Sequence, residues 1–177
     1  LYFWNNGATG PTVTGLVAGN YSCAITDSYG CMETFFITIT EPTEILPNLT
    51  LTDISCNTGN NGSASVNPTG GGSNSYTIQW HDGSMNTTVL IPVVGTYSVT
   101  ITNNTTGCTT QNSPIIFSIT QPNALMLSAN VVDNASCDGY SDGSATVTAT
   151  GGTPGYSYSW TPGGQTTATA TVLSVGT

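Results

Sequence analysis

Two neighbouring stretches decide the fold: YTIQW at residues 76–80 and GTYSVTI at residues 95–101. In both, apolar side chains alternate with polar ones, a period of two that is typical of a β-strand with one buried face. Asp82-Gly83 lies between them and is a strong turn signal. No stretch of the chain shows a convincing helical period. The pattern therefore predicts an all-β protein.

Further short strands are predicted on both sides of this pair, at residues 49–54, 63–67, 87–90 and 115–120. Six or seven short strands in about 80 residues predict a small immunoglobulin-like β-sandwich. Trp80 lies on the third strand, where such sandwiches place a core tryptophan. Tyr97 opens a late strand, which predicts a tyrosine corner whose hydroxyl bonds back to upstream backbone.

The same landmarks recur at a spacing of 76 to 81 positions, which predicts tandem repeats of about 80 residues. The recurring features are Trp4, Trp80 and Trp160; GNYS at 19–22 and GTYS at 95–98; TEP at 40–42 and TQP at 120–122; and Cys56 and Cys137, each followed by GSA. The phase predicts the C-terminal half of one repeat at residues 1–44, a complete repeat at 45–124 and the N-terminal two-thirds of another at 125–177. We expect Trp4, Trp80, Trp160, Tyr21 and Tyr97 to form a core signature, with a sugar-binding aromatic platform as the alternative.

The charge composition excludes several functions. The chain of 177 residues has nine Asp and Glu and no Lys or Arg, so its formal net charge is −9. Nucleic-acid binding and attraction to anionic membranes both depend on cationic side chains, and neither is expected here. No apolar run approaches the ~20 residues that cross a bilayer, and no signal peptide is visible in this window. A chain that offers trypsin no cleavage site suits an extracellular location.

Several segments of the chain resemble one known family. Cys137, DGSA at 142–145 and GGTPGYSYSW at 151–160 are similar to the SprB repeat of surface adhesins from gliding bacteria, as are LVAGNY at 16–21 and Gly30-Cys31. The residues GSNS at 72–75 depart from the Gly-x-Pro-x turn of the pattern. The resemblance implies a large exported protein that serves in adhesion and gliding motility at the cell surface.

The cysteines lie at recurring places. Cys56 follows the first strand of the complete repeat and Cys108 precedes the last, so we predict one disulfide between them. Cys31 and Cys137 are predicted to pair with cysteines outside residues 1–177. Cys23 replaces Val99 at an inward-facing strand position. It is expected to be a buried free thiol, with a hairpin bridge to Cys31 as the alternative.

No catalytic constellation is evident, so we do not expect an enzyme. His81 is the only histidine, and its counterparts are Asn5 and Thr161, so the other copies do without it. Oxygen-bearing side chains recur in the loop after the cysteine, which makes calcium conceivable; they are Asp138, Asp142, Asn57 and Asn61. The same residue types form turns without any ion. Calcium is the one cofactor that we consider, and no other metal site is expected.

Short joints marked by proline, at residues 42–47 and 122–125, predict a stiff, extended array. The primary hypothesis is a stalk or filament whose main partners are neighbouring repeats of the same chain. An alternative is that each repeat binds polysaccharide or another surface. Lateral self-association through exposed strand edges also stays open, because no lysine guards those edges.

Overall fold

The computed structural model describes residues 1–175, and every regular element in them is a strand. Gly176 and Thr177, the last two residues of the predicted partial repeat at 125–177, lie outside the described residues. The strands are β1 (Tyr2–Trp4), β2 (Gly19–Thr26), β3 (Met32–Ile39), β4 (Thr50–Thr52), β5 (Gly62–Ser65), β6 (Tyr76–Trp80), β7 (Thr88–Ile91), β8 (Gly95–Asn103), β9 (Ile115–Ile119), β10 (Met126–Asp133), β11 (Gly143–Thr150) and β12 (Thr169–Leu173). The predicted all-β class is confirmed. Across residues 1–175, no helix is long and apolar enough to cross a membrane.

Residues 45–124 form two antiparallel three-stranded sheets, ordered β4-β5-β7 and β6-β8-β9. Buried and exposed side chains alternate along β7 and β9, as the period of two predicts. Both sheets contribute to one hydrophobic core. Its most enclosed members are Ile54 and Ile91 from one side and Val99, Ile101 and Ile119 from the other. Burial of this shared face is what holds the two small sheets together.

Residues 1–44 contain a single sheet, ordered β1-β2-β3, whose pairing matches β6-β8-β9. Trp4 pairs with Cys23 as Trp80 pairs with Val99. Tyr21 pairs with Ile37 as Tyr97 pairs with Phe117. The same side chains therefore face the same way in the two sheets.

Residues 125–175 contain the sheet β10-β11-β12, which corresponds to β4-β5-β7. Ala145 pairs with Val131 on one side and Ala170 on the other, as Ala64 pairs with Leu51 and Val89. Residues 156–160, the counterpart of β6, carry no strand hydrogen bonds because no described strand lies beside them.

The chain enters and leaves residues 45–124 at opposite ends of β8. On entry, Gly71 donates its backbone N–H to the Thr43 carbonyl, and a Cβ at Gly71 would lie 3.1 Å from the Asn103 amide nitrogen at the end of β8. On exit, Ile119 pairs with Gly95 at the start of β8. At about 3.3 Å per residue, these two ends are about 26 Å apart.

Candidate functional site

The three tryptophans make the same pair of local hydrogen bonds. The indole nitrogens of Trp4, Trp80 and Trp160 donate to the backbone carbonyls of Gly10, Asn86 and Thr167 at 3.0, 2.7 and 2.9 Å. The backbone carbonyl of each tryptophan also accepts a hydrogen bond from a glycine in the turn that follows. The indole therefore closes the loop that follows it in all three places, and the donor of each ring is satisfied.

Tyr21 and Tyr97 each form the predicted bond to upstream backbone. The Tyr21 hydroxyl donates to the Val17 carbonyl at 3.0 Å, and the Tyr97 hydroxyl donates to the Val93 carbonyl at 2.6 Å. In both cases the acceptor lies four residues before the tyrosine. The tyrosine thus pins the segment that leads into its strand.

Burial distinguishes core packing from a sugar-binding platform for Trp80. Trp80 is 2% exposed and meets Phe117 edge to face at a centroid distance of 5.9 Å, which is core packing. An aromatic platform for sugars requires an accessible ring face, and Trp80 offers none.

A cleft of about 450 Å³ lies in residues 125–175, walled by apolar and aromatic side chains from β10, β11 and the stretch 155–160; they include Leu125, Leu127, Val147, Tyr156, Tyr158 and Trp160. The counterparts of Leu125, Val147 and Trp160 are Ile45, Val66 and Trp80, all of which belong to the core of residues 45–124. The cleft is therefore the same space that β8 and β9 fill in residues 45–124, and we assign it no ligand.

Asn103 is a buried polar residue that the sequence analysis did not single out. It is fully enclosed, and its Nδ2 donates to the Ser73 carbonyl at 2.9 Å. Its Oδ1 accepts from the backbone N–H groups of Thr105 and Thr106 at 3.0 and 3.1 Å. Asp27 occupies the equivalent place and accepts from the N–H groups of Tyr29 and Cys31. An Asp or Asn shortly before Gly-Cys was the signal in the sequence.

The loop considered for calcium is closed by its own side chains. Asn61 Oδ1 accepts the backbone N–H of Ser55 at 3.0 Å, and Asp142 Oδ1 accepts that of Ser136 at 2.8 Å. Hydrogen bonds from the Ser136 hydroxyl and amide hold the pKa of Asp142 below its ordinary value. Among residues 1–175, no three His, Cys, Asp or Glu side chains gather at one point. Turn formation accounts for the bonds of Asn61 and Asp142, while Asp138 accepts none of the bonds that close the loop.

The loop at residues 55–61, hereafter the Cys56 loop, also contacts the end of its own segment and the segment that follows it. Asn57 Nδ2 donates to the Pro122 carbonyl at 3.1 Å, and the Thr58 N–H donates to Gln121 Oε1 at 3.2 Å. Thr153 Oγ1 donates to the Ser55 carbonyl at 3.1 Å across 98 positions of sequence. Asn57, one of the calcium candidates, is thus engaged in holding the joint between two segments.

Cys56 and Cys108 do not form the predicted disulfide, and all five cysteines are free thiols. Ile54, two residues before Cys56, donates its N–H to Thr120 at the Gly95 end of β8. The Cys108 carbonyl accepts the N–H of Asn103 at the other end of β8. A disulfide requires Cα atoms within about 7 Å, whereas the length of β8 separates these two cysteines. Pairing within one segment is therefore incompatible with this fold.

Cys23 is 4% exposed and lies opposite Trp4 on the inner face of β2. This supports the buried free thiol that was expected. Cys31 precedes Met32, which pairs with Thr26, so Cys31 lies several residues along the hairpin from Cys23. The alternative bridge between Cys23 and Cys31 is not supported by this register.

His81 packs its ring on Tyr97 at a centroid distance of 4.6 Å, in the turn after Trp80. Its counterparts Asn5 and Thr161 fill the same turn without an imidazole. The contact gives His81 a packing role in this turn.

A model of the SprB repeat family matches the chain twice, over residues 48–85 and 129–165. Both matches begin at the first sheet of a segment and end in the turn after its tryptophan. The predicted resemblance is confirmed by them. No curated protein matches the chain.

Proposed function

We propose that the chain is the structural repeat region, a stalk or filament, of a large secreted adhesin that serves in adhesion and gliding motility, because the SprB repeat model matches it twice. The family match by itself indicates a repeat region related to cell-surface adhesins. The absence of Lys and Arg from the sequence agrees with exposure outside the cell.

The main observation in support of the stalk is the path of the chain through residues 45–124. Entry beside Gly71 and exit beside Gly95 lie at the two ends of the nine-residue strand β8. A unit that is entered at one end and left at the other adds its full length to the array. We estimate about 30 Å per unit, from strands of ~20 Å with loops at both ends.

The joints support the same proposal because two of them are built alike. Gly71 donates its N–H to the Thr43 carbonyl at 2.8 Å, and Gly152 donates to the Asn123 carbonyl at 2.8 Å. Each joint contains a proline, Pro42 or Pro122, which restricts the backbone. Equal joints repeat one rotation between units, and a regular array follows from that.

We further propose that residues 1–44, 45–124 and 125–177 are parts of three immunoglobulin-like sandwich repeats. The shared tryptophan and tyrosine bonds and the matching strand registers support this assignment. Neighbouring repeats are then the main partners of each unit.

Small-angle X-ray scattering of the 177-residue chain tests the stalk. A compact domain of this length has a radius of gyration of about 16 Å, and we expect a clearly larger value with the scattering profile of a rod. A value near the compact one would refute the stalk. Glycan-array binding by the same chain would instead favour the alternative in which each repeat binds polysaccharide.

A further inference from the structure

The free thiols of Cys56 and Cys108 lie at opposite ends of one unit, so each lies at a joint with a neighbouring unit. The Cys56 loop is at the exit end, where it contacts Pro122 of the following joint. Cys108 is at the entry end, near the joint that contains Pro42. Both side chains are exposed. Each thiol therefore lies near groups of a neighbouring unit across its joint.

The surroundings of Cys108 include the glycine turn at residues 70–72. The Cys108 N–H donates to Thr106 Oγ1 at 3.3 Å, and that hydroxyl donates to the Gly71 carbonyl at 3.2 Å. A Cβ built on Gly72 would lie 3.2 Å from Pro42 Cβ and 3.4 Å from Thr106 Cγ2. Position 72 is thus in contact with both the joint proline and the loop that carries Cys108.

The next unit has an equivalent turn at residues 151–153, where Thr153 occupies the place of Gly72. Gly70 and Gly151 have positive φ angles of 89° and 74°, and they approach the carbonyls of Glu44 and Ala124 in the same manner. Thr153 donates to the carbonyl of Ser55, the residue that precedes Cys56. The equivalent position is Gly72 in one unit and Thr153 in the next. Gly72 shows that this position lies beside the Cys108 loop of its own unit, and Thr153 shows that it contacts the Cys56 loop of the unit before it.

We infer that cysteines of this chain form disulfides between consecutive repeats: the cysteine of the Cys56 loop of one repeat bonds to the Gly-Cys cysteine of the next. Cys108 is then bonded to the Cys56 counterpart of the repeat before it, and Cys56 to the Cys108 counterpart of the repeat after it. This inference rests on the proposed function, in which repeats follow one another outside the cell.

The chemistry balances as a two-electron oxidation. Two thiols lose two protons and two electrons and form one S–S bond, and the disulfide of an oxidised thiol–disulfide oxidoreductase is reduced to a dithiol. Exposure of Cys56 and Cys108 leaves both accessible to that exchange. The product is a rod in which every joint has a covalent link besides the backbone.

Single cysteine substitutions in the intact exported protein test the inference. The protein is denatured without reductant, free thiols are labelled with iodoacetamide, and peptides with Cys56 or Cys108 are identified by mass spectrometry. We expect neither to be labelled in the wild type. In Cys56→Ser, Cys108 stays unlabelled, and in the matched control Cys108→Ser, Cys56 stays unlabelled, because each has a partner in a different repeat.

Labelling of Cys108 only after Cys56→Ser would show pairing within one repeat and overturn the inference. Labelling of either thiol in the wild type would overturn it as well. Negative-stain images of the same wild-type sample test the stalk independently of the disulfides. Rods with unbonded cysteines refute only the disulfides, whereas compact particles refute the proposed function.

Discussion

The Tyr97 hydroxyl donates a 2.6 Å hydrogen bond to the carbonyl oxygen of Val93, so the start of β8 is tied to the segment that crosses over from β7. This crossover joins the two sheets of residues 45–124, because β7 belongs to one and β8 to the other. Tyr21 and Val17 repeat the bond in residues 1–44. In residues 45–124 the bond thus helps to set the second sheet against the first.

Removal of the Tyr97 hydroxyl should destabilise the protein modestly. We expect Tyr97→Phe to lower the free energy of unfolding by about 1 kcal/mol, the usual net value of one hydrogen bond. Urea unfolding followed by tryptophan fluorescence measures the change. Tyr140→Phe is the control, because Tyr140 lies exposed in a loop. Equal effects of the two substitutions would contradict a role for the bond.

Removal of the central indole should cost much more. Trp80 is enclosed between the sheets, and we expect Trp80→Ala to lower the free energy of unfolding by about 3–5 kcal/mol. Trp4→Ala is the matched control, since Trp4 has the same turn bond but is only half-buried. Its effect should be clearly smaller in the same urea titration. A larger loss from Trp4→Ala would show that the core is wrongly placed.

Asn103 should be the most sensitive polar position. Its amide satisfies the Ser73 carbonyl and two backbone N–H groups in a buried site, so Asn103→Ala leaves several polar groups without partners. We expect a loss of about 3 kcal/mol in the free energy of unfolding. Its neighbour Asn104 is exposed, and Asn104→Ala should cost under about 1 kcal/mol. Calorimetric melting of both variants checks the difference.

The sequence predicted what depends on local pattern. Strand positions and the tyrosine corner follow from alternation and short turns, and the predicted strand at 76–80 coincides with β6. The disulfide prediction for Cys56 and Cys108 failed because it needed the direction of β8 between them. Strand order in three dimensions decides which loops lie at the same end of a unit, and spacing along the chain does not contain that information.

Comparison of the copies within the chain offered only a weak indication of the Asn103 network, an Asp or Asn shortly before Gly-Cys. Asp27 and Asn103 differ in charge and in their distance from the following Gly-Cys, so neither forms an exact repeat of the other. Their common function, accepting N–H groups of the next turn, becomes visible only from the hydrogen bonds. The contact of Thr153 with Ser55 had no sequence signal, because it joins residues of different units.

Removal of calcium should leave the fold unchanged. Asn61 and Asp142 already bond the backbone of their own loops, so these loops need no ion to hold their shape. We expect the melting temperature in EGTA to equal that in millimolar calcium. If calcium raised the melting temperature, and if Asp138→Asn and Asp142→Asn together abolished that increase, a calcium site at these residues would be established.

Acid should loosen the loop around Asp142 and spare the one around Asn61. The bonds from Ser136 lower the pKa of Asp142 in the folded protein below the ordinary value of 3.8, so its contribution to stability is present above that value. The contribution is lost as the pH falls below about 3.8 and through the folded pKa. We expect the amide proton of Ser136 to shift in NMR spectra over that range. The Ser55 amide, held by the uncharged Asn61, serves as the internal control and should not shift. Asp142→Asn should retain the bond and abolish the shift of Ser136, and a titration that survives this substitution would assign the effect to another group.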